Sequence, residues 1–226
     1  MKYEILGENM QAVKITLNKG EKIYADAGKL LSKENITMTP RMRGGIIGAI
    51  TREVSGATAF VTEFEATEDT GEVTLTGTLP GKMLAIELNE NESFIAEHYA
   101  FVAADDTVKF TVQTLNVSAA LFGGAGFILQ KFIGPGIVFL HVVGNIVEYN
   151  LDGSATLEVD PQHIAGFSDG LQYKIMFVDN IRSALFGGIG IFLAKFEGNG
   201  KVIIHSVSRY KLANELFGLG KEQQEK

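Results

Sequence analysis

Four histidines, one serine inside a Gly-x-Ser-x-Gly run and three cations that trail paired glycines are the side chains with most scope for chemistry in this chain. The histidines are His98, His141, His163 and His205. No two stand in an H-x-H or H-x-x-x-H spacing, and the H-x-H with downstream glutamate by which a cupin-like barrel holds its metal is missing. His141 and His205 each follow an apolar run, Phe139-Leu140 and Ile203-Ile204. They read either as hydrogen-bonded histidines at strand ends or as a metal pair or pH switch. With Thr62 or Glu63 near the matching place upstream and no acidic ligand cluster, the first reading is preferred. Gly166-Phe167-Ser168-Asp169-Gly170 matches a nucleophile elbow, which needs a strand before it and a helix after it. The strand-like run Gln172–Val178 follows instead, so this stretch reads as a hairpin turn. Neither G-x-x-x-x-G-K nor a strand followed by G-x-G-x-x-G is present, so no phosphate cradle is assigned. No catalytic residue, cofactor site or metal ligand emerges, and the expectation is a protein that is not an enzyme.

The cations are more regular. Arg52, Lys131 and Lys195 each stand seven residues past the second glycine of Gly44-Gly45, Gly123-Gly124 and Gly187-Gly188. They could form an anion-binding ring or meet lipid headgroups. Alternatively, each could pair with an acid such as Asp26, Glu97 or Asp160, a contribution of only ~0.2–1 kcal/mol if exposed. Together with Phe122 and Phe186 in the apolar loops beside them, Arg52, Lys131 and Lys195 make the candidate binding surface.

Such spacing requires repeated elements to position it. At an offset of 64, residues 116–144 and 180–208 share 15 of 29 positions without a gap, which signals duplication of a supersecondary unit. An earlier copy is weaker. The runs Val13–Leu17, Leu84–Leu88 and Val147–Leu151 alternate apolar and polar residues, the mark of a half-buried strand. Asn18, Asn89 or Asp152 follows, with Gly and Asn turn formers, then a second short run, so each copy is expected to open with a hairpin. Nine residues past each leucine stands an acid, Asp26, Glu97 or Asp160. The copies span about 1–79, 80–143 and 144–212 of a single β domain, and 213–226 read as a polar tail.

Composition agrees with an all-β class. The chain of 226 residues is 46% hydrophobic and 21% charged, enough to bury a core and unlike a disordered chain. A net charge of −7 opposes binding of long nucleic acid. Cysteine is absent, which removes disulfides, thiol catalysis and thiolate metal sites. The opening Met1-Lys2-Tyr3-Glu4-Ile5 lacks the apolar core of a signal peptide, so a cytoplasmic place is expected. The apolar stretch Ala119–Val143 is interrupted by glycines and Lys131, and its duplicate carries Lys195, Glu197 and Lys201. It therefore reads as buried strand, glycine loop and buried strand rather than a membrane span.

The three copies, the Leu-Asn/Asp turns and the Gly-Gly…Lys-Phe…Gly-x-Gly stretches at 123–136 and 187–200 resemble the altered-inheritance-of-mitochondria family, in its uncharacterised bacterial and archaeal branch. The likeness covers about residues 3–212. It implies a β-sandwich or double-stranded β-helix-like body of three internal repeats with pseudo-threefold symmetry, shaped like the tryptophan RNA-binding attenuation protein, and homo-oligomeric rings, commonly trimers. It carries no catalytic residues over, and a shared fold transfers no function. The reading is a non-enzymatic oligomeric interaction or scaffold protein without cofactors, extending to peripheral contact with a membrane surface. Its alternative is a module that binds RNA or a small anion.

Overall fold

A computed structural model describes residues 1–42, 60–115, 127–178 and 191–224. The three glycine pairs, and with them Arg52, Phe122 and Phe186, lie outside the described residues. The described chain is mostly strand, arranged in several antiparallel sheets, as an all-β reading requires. The first stretch contributes β1 (Lys2–Leu6), β2 (Ala12–Asn18), β3 (Lys22–Ala25), β4 (Leu30–Glu34), β5 (Ile36–Met42), β6 (Phe60–Ala66) and β7 (Thr70–Thr76). The second contributes β8 (Gly81–Leu88), β9 (Ser93–Glu97), β10 (Phe101–Asp105), β11 (Lys109–Leu115), β12 (Phe127–Ile133) and β13 (Gly136–Val143). The third contributes β14 (Ile146–Asp152), β15 (Leu157–Val159), β16 (Ile164–Ser168), β17 (Gln172–Val178), β18 (Ile191–Glu197) and β19 (Asn199–His205).

Strand pairing recurs from stretch to stretch. The pairs β2–β7, β3–β6, β4–β7 and β5–β6 of the first stretch match β8–β13, β9–β12, β10–β13 and β11–β12 of the second. They match β14–β19, β15–β18, β16–β19 and β17–β18 of the third. Register agrees as well: Leu17, Leu88 and Leu151 stand opposite Gly71, Gly136 and Gly200. Successive stretches are joined by β3–β10 and β9–β16. The sheets therefore run β1-β2-β7-β4, β5-β6-β3-β10-β13-β8, β11-β12-β9-β16-β19-β14 and β15-β18-β17.

The Asn and Asp turns do not close hairpins, contrary to the local reading of the sequence. β2 and β3 lie in different sheets, as do β8 and β9, and β14 and β15. The physical reason is burial. Crossing between sheets lets Val13, Ile15 and Leu17 of β2 and Ile23 and Ala25 of β3 meet in one cluster with Phe64, Val73, Leu75 and Phe139. An isolated hairpin would leave one of those faces to water. The turn itself is held by a glutamate: Glu21 accepts from the Asn18 backbone N–H at 2.8 Å, and Glu92 from that of Asn89 at 3.0 Å.

The acids nine residues past each leucine have a structural task. Each caps a 3-10 turn, at Ala27–Lys29, His98–Ala100 and Pro161–His163. Asp26 accepts from Gly28 N, Glu97 from Tyr99 N and Ala100 N, and Asp160 from Gln162 N. A short polar side chain at this place satisfies N–H groups that a turn leaves unpaired. The strand that follows begins with a register shift each time, between Leu30/Ser32, Phe101/Ala103 and Ile164/Gly166.

β12 and β13 carry the apolar run. β13 lies between β10 and β8 and is buried along most of its length, which explains the lack of alternation there. No helix among the described residues is long and apolar enough to cross a membrane. Residues 213–224 belong to the stretch read in the sequence as a polar tail. They continue a helix, α1 (Arg209–Gln224).

Gly136 has φ +135°, and a Cβ built there would stand 2.8 Å from Val108 Cγ2 and 2.9 Å from Thr107 Oγ1. Gly136→Ala is therefore expected to cost about 3 kcal/mol of stability through backbone strain and overpacking. A urea unfolding midpoint equal to that of the wild type would refute this account of the turn.

Candidate functional site

Lys131 and Lys195 sit on β12 and β18. Lys131 Nζ stands 2.7 Å from Asp169 Oδ2, which also accepts from Ser93 Oγ at 2.8 Å. Burial would raise the Asp169 carboxyl, but the bonds from Lys131 and Ser93 outweigh it and hold it below the usual carboxylate range. Lys195 pairs with Glu197 at 2.7 Å. The partners are thus not Asp26, Glu97 or Asp160, whose side chains cap turns. Register also sets an acid where a third cation was sought. Tyr24 faces Glu63 as Ile95 faces Lys131 and Glu158 faces Lys195. Glu63 is engaged by Lys22 at 2.9 Å and by Arg41 at 3.5 Å. Lys131 and Lys195 therefore each stand in an ion pair, and Ser168, the last residue of β16, accepts from Lys201 N at 3.0 Å just before a turn that leads to a strand of another sheet, not to a hairpin partner.

A different group of side chains converges where two of the 3-10 turns meet α1. A cavity of about 650 Å³ opens there. Its polar wall holds the cations Lys29 and Arg209, the carboxylates Asp26 and Glu97, the imidazoles His141 and His205, and Thr78 and Tyr99. All but Thr78 are placed by elements already described. Lys29 ends the first 3-10 turn and Glu97 caps the second. His141 and His205 lie at corresponding places near the ends of β13 and β19, facing Met83 and Ile146. The same register puts Thr76, opposite Ala12, at that place in the first stretch, rather than Thr62 or Glu63. α1 is anchored by Ser208, whose Oγ accepts from Lys211 N at 3.3 Å and donates to Gln162 Oε1 at 3.2 Å. Lys211 reaches Asp160 at 2.7 Å. This N-terminal cap lays the Arg209 guanidinium over the Tyr99 ring, 3.2 Å from its centroid.

The electrostatics are unusual for a folded interior. Lys29 is only 7% exposed, and its ammonium donates to Thr78 Oγ1 at 3.0 Å. Among the described residues neither Lys29 nor Arg209 has a carboxylate within ion-pair distance. Burial lowers the Lys29 ammonium from its ordinary range; the charges of Asp26 and Glu97 support it, and that of Arg209 opposes it. Burial pushes the Glu97 carboxyl up to about 7, against the pull of Arg209 and of two backbone N–H bonds. Burial and the Lys29 charge bring His141 down to about 4. His205 falls to about 3, through burial first and then its neighbours His141, His163 and Arg209. The imidazoles are thus neutral at physiological pH. His205 Nδ1 accepts from Val143 N at 2.9 Å, and His163 Nδ1 stands 2.7 Å from the His205 carbonyl oxygen. No group of three or more His, Asp or Glu among the described residues is arranged to hold a metal.

Against known proteins, the profile of the family described as Mitochondrial biogenesis AIM24 matches residues 3–207. The chain belongs to this family. An uncharacterised protein of Streptococcus pyogenes serotype M6 is 29% identical over 213 residues, covering 90% of this chain and 84% of that one. The crystal structure of a Streptococcus pyogenes protein superposes with a TM-score of 0.77 at 24% identity, covering 96% of this chain and 99% of the other, which shows a shared fold.

Sequence reasoning reached this family but passed over Lys29, Arg209 and the burial of Glu97. The acid spacing held a usable signal for Glu97, since it marked all three turn caps. Lys29 and Arg209 carried none, because each is a lone cation whose neighbours in space come from other stretches.

Protonation in the cavity has opposing effects on stability. His141 and His205 have folded pKa values below their ordinary 6.5, so the unfolded chain binds more protons and stability rises with pH up to about 6.5. Glu97 has a folded pKa above its ordinary 4.5, so the folded chain binds the extra proton and stability falls as pH climbs from there to about 7. Two histidines outweigh one glutamate, and this family member should gain stability from pH 4.5 to 6.5. Glu97→Gln removes the opposing part, so its stability should rise more steeply with pH across this window. Urea titrations at several pH values check this, and an unchanged slope in the variant would contradict the buried-carboxyl assignment.

Proposed function

We propose that the protein is a non-enzymatic binding module that holds a small anion in the cavity between the 3-10 turns and α1. The observation that carries this reading is the pair of cations, Lys29 and Arg209, that line one cavity without an ion-pair partner among the described residues. A cation withdrawn from water is costly unless paired, and an anion entering the cavity supplies the missing partner. Binding is favoured over catalysis because Ser168 is engaged with the Lys201 backbone and His205 Nδ1 is already occupied by the Val143 N–H. The chain's net charge of −7 favours a small anion over RNA. Titration calorimetry with acetate and inorganic phosphate is expected to give saturable binding. Lys29→Met and Arg209→Met should each weaken it at least tenfold, the loss of about 1.4 kcal/mol or more expected for a charged hydrogen bond. Saturation that both variants leave unchanged, in chains whose circular dichroism matches wild type, would rule the site out.

A second reading concerns assembly. Three stretches with the same pairings, joined by β3–β10 and β9–β16, suit a body with a pseudo-threefold axis; β15 and β4, which would make the third junction, each end a sheet. Self-association into a trimer is favoured by β11 and β17, which end their sheets among the described residues and where Val112 is 43% and Phe177 is 53% exposed. Open edges with apolar side chains are templates for a second chain. Light scattering should return a multiple of 24.5 kDa, and Phe177→Glu should lower it. A monomer mass at all concentrations would remove this reading.

A further inference from the structure

α1 presents one stripe to the cavity: Arg209, Leu212, Ala213, Leu216 and Phe217 all line it. Their spacing, i, i+3, i+4, i+7 and i+8, is that of a single helical face. The stripe is cationic at its first residue and apolar beyond, and at 1.5 Å per residue it runs about 12 Å. Across from the cation stands Lys29, and Leu79 and Val143 contribute further apolar wall. Leu216 is 61% and Phe217 75% exposed, so the described chain covers the far end of the stripe poorly. A small inorganic anion would satisfy the cations and leave this apolar surface in water. A peptide would bring backbone N–H and C=O groups against Leu and Phe side chains that offer them no partner.

We infer that the cavity takes a single-chain amphiphile, with an anionic head between Lys29 and Arg209 and an alkyl tail along Leu212, Leu216 and Phe217. This rests on the anion reading above and adds the tail. The head is defined by charge and acceptor oxygens, so a carboxylate and a phosphate monoester both meet it: Arg209 can offer a fork of N–H donors and Lys29 a point charge. The cavity volume lies within the span usual for sites that enclose small molecules. Each CH₂ buried along the stripe should tighten binding about fourfold.

The test uses the full chain and four probes below their micelle concentrations: acetate, decanoate, decyl phosphate and decanol. Decanoate and decyl phosphate are expected to bind at least roughly a hundredfold more tightly than acetate, as several buried CH₂ groups require. Lys29→Met and Arg209→Met should weaken decanoate at least tenfold and leave decanol no weaker. Leu216→Ser/Phe217→Ser, a change at exposed positions that the fold should tolerate, should shrink the ratio of decanoate to acetate affinity while sparing acetate. Equal affinity for acetate and decanoate, with both lost in Lys29→Met, overturns the tail and leaves the anion reading standing. Decanol binding as tightly as decanoate, or no binding of any anionic probe, overturns both. A self-association that Leu216→Ser/Phe217→Ser abolishes, with decanoate silent, assigns the stripe to a second copy and overturns the amphiphile.

Discussion

Asp26, Glu97 and Asp160 each accept backbone N–H groups at the point where a core strand ends and the chain must turn before the next one begins. At Glu97, where the Ala100 N–H is buried, losing the acceptor would leave that donor unpaired at a cost of about 1–3 kcal/mol. The cap determines where the following strand starts, and that strand begins with a register shift in all three stretches. The shifted strands are β4, β10 and β16. Of these, β10 and β16 also carry the ladders to the preceding stretch. The side chain that closes the turn therefore sets the join between stretches, and through it the merging of three apolar clusters into neighbouring sheets.

The same turns gather charge. Of the three caps, Glu97 is the one buried to 5% exposure, because α1 passes over it and places Arg209 on Tyr99, the second residue past the cap. A longer side chain than Asp lets Glu97 accept from two N–H groups at once. The charge of Arg209, then these bonds, then the charge of Lys29 offset its desolvation in part, and the carboxyl stays raised to about 7. The contacts are loose: opposite charges share a region without closing ion pairs among the described residues. Space for a guest exists because these groups do not reach each other.

Much of the architecture was legible in the sequence, because strand alternation and the offset of 64 are local properties of the chain. Leu17, Leu88 and Leu151, and the acids after them, fall at matching registers. The hairpins were misread for a physical reason. A turn former after an alternating strand looks the same whether the next strand pairs with it or crosses to another sheet, and the choice is made by distant residues such as Phe64 and Phe139. The helix at 209–224 was hidden by a polar composition, and its anchoring depends on Ser208 meeting Gln162 from 46 residues away. The cavity was illegible for the same reason. His141 and His205 share the offset of 64 and Glu97 the acid spacing, but Lys29, Thr78 and Arg209 stand in no pattern that ties them to the others.

Matched positions argue for where function can reside. The place held by Lys131 and Lys195 is held by Glu63 in the first stretch, so the cations there do not repeat around the body. His141 and His205 correspond to Thr76. The third residue past each cap is Lys29, Ala100 or His163. Positions that stay alike, such as Gly71, Gly136 and Gly200 or Phe64, Phe132 and Phe196, are those that pack and turn the chain. Some of the places that face the cavity differ between stretches, as at Lys29, and others do not, as at His141 and His205. A buried ammonium and a buried carboxyl share this space with two neutral imidazoles because Lys29 and Glu97 differ from their counterparts while His141 and His205 are alike. The chemical environment of this cavity thus comes from the places where the stretches differ, Lys29 above all, set beside places where they agree.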